Sequence, residues 1–300
     1  MIVVTGATGN LGRLVVERLL ARVPASQVVA AVRQPERAAD LAARGVTVRA
    51  ADYTVPASLD AAFAGAEKVL LISSNVVGAR VAQHAAVIDA AKRAGVKLLA
   101  YTSILHADTA THALAREHQE TEALLRASGL PFVSLRNGWY LENYTEQLEG
   151  ALARGGFAGS AGSGKIAAAA RADYAEAAAV ALTQPGHETK VYELAGDTAF
   201  TMEALAREVS RQAGKTLGYT DLPVAEYEHV LARAGLPAPL AHALASADGA
   251  IARGELFDDA ATLHRLIGRA TTSLSSAVAR ALGSLAPGRA VAQNEPAGVA

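Results

Sequence analysis

Short apolar runs alternate with longer amphipathic stretches through the first half of the chain. The runs are rich in Val, Ile and Leu without polar alternation, and they lie at 2–5, 28–32, 46–49, 68–73, 97–102 and 132–136. Such runs are typical of strands buried on both faces of a parallel sheet. The stretches between them predict helices at 10–22, 36–44, 57–64, 79–94 and 112–128. Repeated strand–helix units predict an α/β fold with a doubly wound parallel sheet.

The periodicity changes after the sixth run. A glycine-rich loop is expected at 155–164, followed by a helix at 171–183 and a strand at 191–194. From residue 200 on the pattern is mainly helical, with helices predicted at 202–213, 224–234, 238–252, 259–267 and 273–284. The last segment, 285–300, has two Pro and two Gly with little periodicity, and we predict that it is a flexible tail.

The segment from Thr5 to Gly12 carries the strongest chemical signal. Its glycines follow the spacing G-x-x-G-x-x-G between a strand and a helix, as in a Rossmann-type fold. Gly6 permits a tight turn, Gly9 lets a diphosphate approach the backbone, and Gly12 lets the helix pack closely on the sheet. The free N–H groups of the helix N-terminus then face the phosphates. A strand–helix turn without a ligand is the alternative. We predict a dinucleotide site that includes Gly6, Ala7, Thr8, Gly9, Asn10, Leu11 and Gly12.

Arg33 ends the second predicted strand, 27 residues after Gly6. NAD sites place an acidic residue there to bind the ribose 2′-hydroxyl, whereas a guanidinium suits a 2′-phosphate. The sequence therefore predicts NADPH as the cofactor, with an ordinary surface arginine as the alternative. Asp52, after the third strand, is a candidate for the adenine amino group or else a solvated loop acid.

Polar residues follow the fourth strand, and ligands of doubly wound sheets bind beyond the carboxyl ends of strands. Ser73, Ser74 and Asn75 are therefore expected near the nicotinamide ribose, unless they form an ordinary polar loop.

Four residues after the sixth strand are expected to line the nicotinamide pocket, namely Asn137, Gly138, Trp139 and Tyr140. The rings of Trp139 and Tyr140 can stack on a flat acceptor, and burial between the two regions is the alternative.

Composition removes several other classes of function. The net charge is −1 with 19% charged residues, which argues against a nucleic-acid binder held by a basic face. The chain has no Cys, so disulfides and thiolate zinc sites are excluded. Its eight His show no His-Glu-x-x-His pattern, and no Gly-x-Ser-x-Gly occurs, so neither a metal site nor a serine hydrolase is predicted.

No membrane span or signal peptide is visible, which leads us to expect a cytoplasmic protein without a membrane partner. An apolar interface and an apolar core leave the same composition, so a homo-oligomer and a monomer are both kept as alternatives.

Several segments together resemble the NmrA-like branch of the atypical short-chain dehydrogenases, and within it the NADPH:quinone oxidoreductases. The resemblance covers about residues 1–284. It rests mainly on Thr5–Gly12, Arg33, Ser73–Asn75, Tyr101–Ser103 and Leu135–Tyr140. The resemblance implies an NADPH-dependent oxidoreductase that acts on a small quinone. The triphenylmethane dye reductases are a neighbouring group.

The wider superfamily uses a Tyr-x-x-x-Lys dyad as its proton relay, and this chain departs from that pattern. No Tyr has a Lys four residues later, and the aligned positions hold Leu114 and His118. Ordinary carbonyl reduction needs a positioned acid, whereas a quinone takes a hydride to give a ring-stabilised hydroquinone anion that water can protonate. His118 is a candidate for a contact to the nicotinamide ribose or for a weak proton source. The alternative is that it is an exposed histidine of the helix. His106 is a further candidate near the site, and Lys165 is expected in solvent.

We therefore predict direct hydride transfer from NADPH to a small quinone, with His118 and Tyr140 as candidate catalytic residues. Residues 1–136 with 171–197 are expected to form the NADP-binding domain, and 138–170 with 198–284 a smaller, mainly helical substrate-binding region. A regulatory protein that senses NADP without turnover is the rival hypothesis, because loss of the dyad fits it equally. A third hypothesis is a reductase of triphenylmethane dyes.

Overall fold

The computed structural model describes residues 1–285, and its centre is a twisted parallel sheet. The strands are β1 Ile2–Thr5, β2 Val28–Val32, β3 Thr47–Ala50, β4 Lys68–Leu71, β5 Leu98–Ile104, β6 Phe132–Asn137, β7 Gly156–Gly159, β8 Lys190–Leu194 and β9 Gly218–Asp221. The central sheet has the order β3-β2-β1-β4-β5-β6-β8, and every pair in it is parallel. The Rossmann-type doubly wound sheet is thus confirmed. The strand order reverses between β1 and β4, which creates a crevice at their carboxyl ends.

Helices cover both faces of this sheet. They are α1 Asn10–Leu20, α2 Ala39–Ala43, α3 Pro56–Phe63, α4 Arg80–Arg93, α5 Ala115–Ser128, α6 Glu142–Thr145, α7 Leu148–Arg154, α8 Arg171–Thr183, α9 Met202–Ala213, α10 Val224–Arg233, α11 Ala238–Ala252, α12 Thr262–Ile267 and α13 Leu274–Leu285. Helices α1, α8 and α12 pack on one face, and α3, α4 and α5 on the other. No helix within residues 1–285 is long and apolar enough to cross a bilayer.

The strands are apolar at successive positions because both faces are buried. In β1, Val4 faces the core under α1 and α8, whereas Val3 faces the core under α3 and α4. In β4, Leu70 belongs to the first core and Val69 to the second. Alternate side chains of one strand thus serve opposite helical layers, which explains the continuous apolar runs in the sequence.

A third apolar core lies beyond the carboxyl edge of the sheet and is mainly helical. Its buried residues come chiefly from α7, α9, α11 and the segments that join them to the sheet. Helices α6 and α7 and the short sheet of β7 and β9 were not predicted from the sequence.

The prediction of a loop throughout 155–164 is wrong at its start. Residues Gly156–Gly159 form β7, which pairs in parallel with β9. A Cβ on Gly156 would lie 2.4 Å from the carbonyl oxygen of Gly218, so glycine is required for this close pairing. The glycines therefore mark a close approach between strands.

Some predicted boundaries also shift. The helix expected at 36–44 is divided into a 3₁₀ turn, Pro35–Ala38, and α2, because Ala38 leaves the α region. The helix expected from 259 begins at Thr262, since Ala261 has a left-handed φ of +52°. The prediction of a flexible tail concerns residues that lie outside the described range, apart from Leu285.

A buried ion pair joins strand β6 to helix α5. Arg136 donates from Nε to Glu122 Oε1 at 2.9 Å and from Nη2 to Glu122 Oε2 at 2.7 Å. Ser103 and Ser134 each donate to Glu122 Oε1 at 2.8 Å. Burial raises the pKa of Glu122, but the hydrogen bonds from Arg136 and Ser103 outweigh it, so the pKa lies below its usual range. The pair thus joins β5, β6 and α5.

Replacement of Glu122 by Ala is expected to lower the free energy of unfolding by about 3 kcal/mol, because Arg136 keeps a buried charge without this partner. Urea denaturation followed by circular dichroism measures the change. Glu120 on the same helix is the matched control, because it is exposed and pairs with exposed Arg116. The Glu120→Ala variant should lose no more than about 0.5 kcal/mol. Equal losses in the two variants would contradict the role given to the buried pair.

Candidate functional site

A cavity of about 470 Å³ occupies the crevice where the strand order reverses. It extends from the end of β2, past the turn after β1, to the end of β6 and the start of α8. The cavity brings together most residues that the sequence predicted for a cofactor, namely Gly6, Thr8, Gly9, Asn10, Leu11, Gly12, Arg33, Asp52, Ser73, Ser74 and Asn75. Tyr140 also lines it, whereas Ala7 is buried behind the turn. His118, Asn137, Gly138 and Trp139 do not line this cavity and are buried.

The turn after β1 is set by close backbone contacts. Gly6 has a left-handed φ of +58°, and its carbonyl accepts the N–H of Gly9 at 2.9 Å. A Cβ on Gly12 would lie 2.2 Å from the carbonyl oxygen of Gly6, whereas one on Gly9 would lie 3.2 Å from it. Helix α1 begins at Asn10 without a side-chain cap, so its first N–H groups are available at the cavity.

At the β2 end, Arg33 is exposed where the cavity opens. The side chain of Asp52 accepts the backbone N–H of Thr54 at 2.8 Å and its hydroxyl at 2.7 Å. These hydrogen bonds, together with the charge of Arg33, hold the pKa of Asp52 below its usual range. Asp52 is thus an ionised acceptor beside the guanidinium.

Tyr53 lines the cavity and was missed by the sequence analysis. Its hydroxyl donates to the carbonyl of Ile72 at 2.9 Å and lies 2.5 Å from Oγ1 of Thr5. Thr5 Oγ1 also accepts the N–H of Ile72 at 3.1 Å. Tyr53 therefore joins the ends of β1 and β4 beneath the turn. No spacing rule marks this residue, because its partners are distant in sequence.

The loop after β4 is held by buried side chains of α4. The N–H of Ser74 donates to Nε2 of His84 at 2.9 Å, and Arg80 Nε donates to the carbonyl of Ser74 at 2.7 Å. Burial, with the nearby charge of Arg80, lowers the pKa of His84 to about 3. The hydroxyl oxygen of Ser73 is buried without a partner at this edge of the cavity. The loop therefore presents an unsatisfied hydroxyl where a ribose is expected.

His118 lies behind this loop on α5. Its Nδ1 is 2.7 Å from the hydroxyl of Tyr101, and its Nε2 is 3.4 Å from Nη1 of Arg80. Burial first, and then the charge of Arg80, hold the pKa of His118 well below its usual range. Leu114 is also buried. The two positions aligned with the superfamily dyad thus hold an apolar side chain and a neutral, enclosed imidazole.

The segment after β6 approaches the cavity through Tyr140. Nδ2 of Asn137 lies 3.5 Å from the Tyr140 hydroxyl, and Oδ1 of Asn137 is buried without a partner. A Cβ on Gly138 would lie 3.0 Å from the carbonyl of Leu194, which explains the glycine. The guanidinium of Arg171, a lining residue that the sequence analysis missed, lies 5.3 Å above the Tyr140 ring.

The two remaining candidates lie elsewhere. His106 has a left-handed φ of +53°, and its Nε2 is 3.1 Å from the carbonyl of Phe257. Lys165 is exposed, as expected, with its Nζ 5.4 Å from the Phe257 ring. Within residues 1–285 no group of His, Cys, Asp or Glu is arranged to hold a metal ion.

These features fit a dinucleotide. The turn provides free N–H groups next to glycines, Arg33 provides a cation at the β2 end, and Ser73 has an unpaired hydroxyl on the other side of the turn, after β4.

The model of the NmrA-like family matches residues 1–282. Quinone oxidoreductase 2 of Escherichia coli K12 is 54% identical over 278 residues, which are 93% of this chain and 97% of that protein. The crystal structure of an E. coli NADPH-dependent quinone oxidoreductase complexed with NADPH superposes with a TM-score of 0.92, at 54% identity, over 94% of this chain and 100% of that chain.

A second solved structure is the triphenylmethane reductase of Citrobacter sp. complexed with NADP(H). The two structures superpose with a TM-score of 0.89 at 40% identity, over 94% of this chain and 100% of that chain. The chain therefore belongs to the NmrA-like family, as the sequence analysis predicted.

Two glycine variants are expected to differ in effect. Gly12→Ala places a Cβ against the Gly6 carbonyl and should cost about 2 kcal/mol of unfolding free energy. Gly9→Ala should cost much less stability but weaken NADPH binding roughly tenfold, because its Cβ stands where the diphosphate approaches. Thermal melts and binding titrations measure the two quantities. Full NADPH affinity in Gly9→Ala would contradict the assignment of the turn.

The buried histidine His84 is expected to make stability depend on pH. Its pKa is about 3 in the folded chain and about 6.5 in an unfolded chain, so the unfolded state binds the proton first. The stabilisation is present above pH 6.5 and decreases by about 1.4 kcal/mol per pH unit well below it.

Urea denaturation at pH 7.5, 6.5 and 5.5 tests this dependence. His84→Gln should reduce the slope between pH 6.5 and 5.5 relative to the unsubstituted chain, whereas His229→Gln, exposed on α10, should leave it unchanged. An identical slope in His84→Gln and the unsubstituted chain would refute the prediction.

Proposed function

We propose that this member of the NmrA-like family is an NADPH-dependent oxidoreductase that reduces a small quinone. The observation that carries the proposal is the cavity, which joins the glycine turn, Arg33 and the Ser73 loop. It occurs in a chain that is 54% identical, over 93% of its length, to a bacterial quinone oxidoreductase.

The cavity residues divide between the two ends of the cofactor. The turn from Gly6 to Gly12 binds the diphosphate with backbone N–H groups, and Arg33 binds the 2′-phosphate. Ser73, Ser74 and Asn75 bind the ribose next to the nicotinamide. Asn137, Gly138 and Trp139 do not line this cavity and support Tyr140 from behind, since the Asn137 amide faces the Tyr140 hydroxyl. NADPH supplies the hydride when it is bound.

The chain needs little acid–base chemistry for a quinone. Reduction adds one hydride to the ring system and one proton from water, which gives the hydroquinone. The hydroquinone anion is stabilised by its own aromatic ring, so an oxyanion donor of the Tyr-x-x-x-Lys kind is not required. The protein acts mainly by holding the acceptor in position, which is catalysis by proximity and orientation.

Tyr140 is the aromatic side chain best placed to contact a flat acceptor. It lines the cavity, and its ring packs edge-on against Tyr174 at 5.3 Å. Burial raises the pKa of the Tyr140 phenol, so it stays protonated at neutral pH. We propose that the ring stacks on the acceptor.

His118 stays a proposed proton source that acts indirectly, through its partner. It is hydrogen-bonded to Tyr101, and neither residue lines the cavity. Its role is therefore to position Tyr101 and hold a proton there.

Purified protein should oxidise NADPH in the presence of benzoquinone or naphthoquinone, followed as loss of the reduced-nicotinamide absorbance. NADPH should be preferred over NADH. Turnover of a triarylmethane dye without quinone turnover would instead assign the dye-reductase activity. Tight NADPH binding without turnover of any acceptor would assign a sensor.

The Arg33→Ala variant should raise the KM for NADPH roughly tenfold to a hundredfold, because a charge-assisted bond to the 2′-phosphate is lost. The KM for NADH should not change, since NADH lacks that phosphate. Arg93→Ala, on exposed α4 surface, is the control and should match the unsubstituted protein. An equal rise for NADH and NADPH would contradict the assignment of Arg33.

A further inference from the structure

Arg171 is a buried cation that lines the cavity. Its side chain is 7% exposed, and it is the first residue of α8. Helices α1 and α8 pack side by side, and Arg18 of α1 pairs with Glu176 of α8 at 3.3 Å. Both helices begin at the cavity, so Arg171 lies at the same edge as the glycine turn.

Two contacts fix the direction of the guanidinium, and a third holds the backbone of Arg171. Its carbon lies 5.3 Å above the ring of Tyr140, which is within cation–π distance. Nη1 is hydrogen-bonded to Glu146, and the backbone N–H of Arg171 donates to Glu142 Oε2 at 3.0 Å. The stack on Tyr140 holds the planar group against the cavity wall.

The pairing with Glu146 leaves donors of the guanidinium for another anion. Glu146 is 45% exposed and accepts from Nη1, with a long contact of 3.5 Å from Nη2. A guanidinium has five N–H donors, and the half-exposed Glu146 carboxylate can return to water when another anion takes its place beside the buried guanidinium. Exchange of Glu146 for a stronger anion therefore costs little.

The distribution of cations along the cavity points to the identity of that anion. Among the described residues that line it, Arg33 and Arg37 stand at the β2 end and Arg171 at the opposite end. Arg13, in the first turns of α1, instead bonds Asp40 at 2.6 Å. The glycine turn between the two ends offers backbone N–H groups, and a dinucleotide places its doubly charged diphosphate there.

We propose that Arg171 binds the diphosphate of NADPH, and that the guanidinium exchanges Glu146 for the phosphate when the cofactor binds. This inference rests on the proposed function only for the identity of the cofactor. Arg33 then recognises the 2′-phosphate and Arg171 the diphosphate, so the two cations act on separate parts of one ligand.

Equilibrium titration with two ligands separates these roles. NADPH contains both groups, whereas adenosine 2′-monophosphate keeps the 2′-phosphate and lacks the diphosphate. The Arg171→Gln variant should weaken NADPH binding at least tenfold and change the affinity for adenosine 2′-monophosphate less than twofold. Arg33→Ala should weaken both ligands. Arg116→Gln, on exposed α5 surface, is the control and should change neither.

A second variant tests the exchange with the opposite sign. Glu146→Gln removes the competing carboxylate and should tighten NADPH binding about threefold. Arg171→Lys should recover only part of the affinity, because an ammonium lacks the planar fork. Thermal melts of each variant show that it is folded.

Several results would overturn the inference. Unchanged NADPH affinity in Arg171→Gln, with a raised KM for the quinone, would assign Arg171 to the acceptor instead. Weaker NADPH binding in Glu146→Gln would show that the ion pair supports the site rather than competes for it. If the unsubstituted protein does not bind NADPH, the proposed function fails and the inference falls with it.

Discussion

The close approach of α1 to the end of β1 is the constraint on which the cavity depends. The Gly6 carbonyl fills the space where a Cβ of Gly12 would stand, at 2.2 Å, so the helix can begin directly at the sheet edge only if residue 12 is glycine. This contact aims the first N–H groups of α1 into the crevice between β1 and β4. Tyr53 and Thr5 support the same point from below through hydrogen bonds to each other and to Ile72. The position of the turn is therefore set by backbone contacts and by the hydrogen bonds beneath it.

Helix α5, behind the loop after β4, is held by packed and hydrogen-bonded side chains rather than by close backbone contacts. The helix that bears the proton relay in the wider superfamily is present as α5, but its inner face is used for packing. Leu114 belongs to the helical core beyond the sheet, and His118 is neutral and bonded to Tyr101. Glu122 of the same helix is committed to Arg136. Helix α5 thus stabilises the sheet through its inner face.

The sequence predicted the sheet well because its signals are local. Strands β1 and β2 and helix α8 begin and end at the predicted residues. Strands β7 and β9 were missed because they pair across about 60 residues, and their glycines have the composition of a loop. Arg171 was missed for a related reason. Its chemistry comes from the ring of Tyr140 and the cavity, which only the folded chain brings together.

The segments that carry Tyr140 and Arg171 connect the two halves of the molecule. Tyr140 forms a β-bridge with Ala169, and the Leu141 N–H donates to the Ala169 carbonyl at 2.9 Å, so the chain leaving β6 runs beside the chain entering α8. The first segment is fixed to the sheet by Arg136, and the second by α8 packed on α1. Both therefore keep their positions relative to the glycine turn. An acceptor that stacks on Tyr140 is then oriented by the same rigid elements that orient the cofactor, which is what hydride transfer without a positioned acid requires.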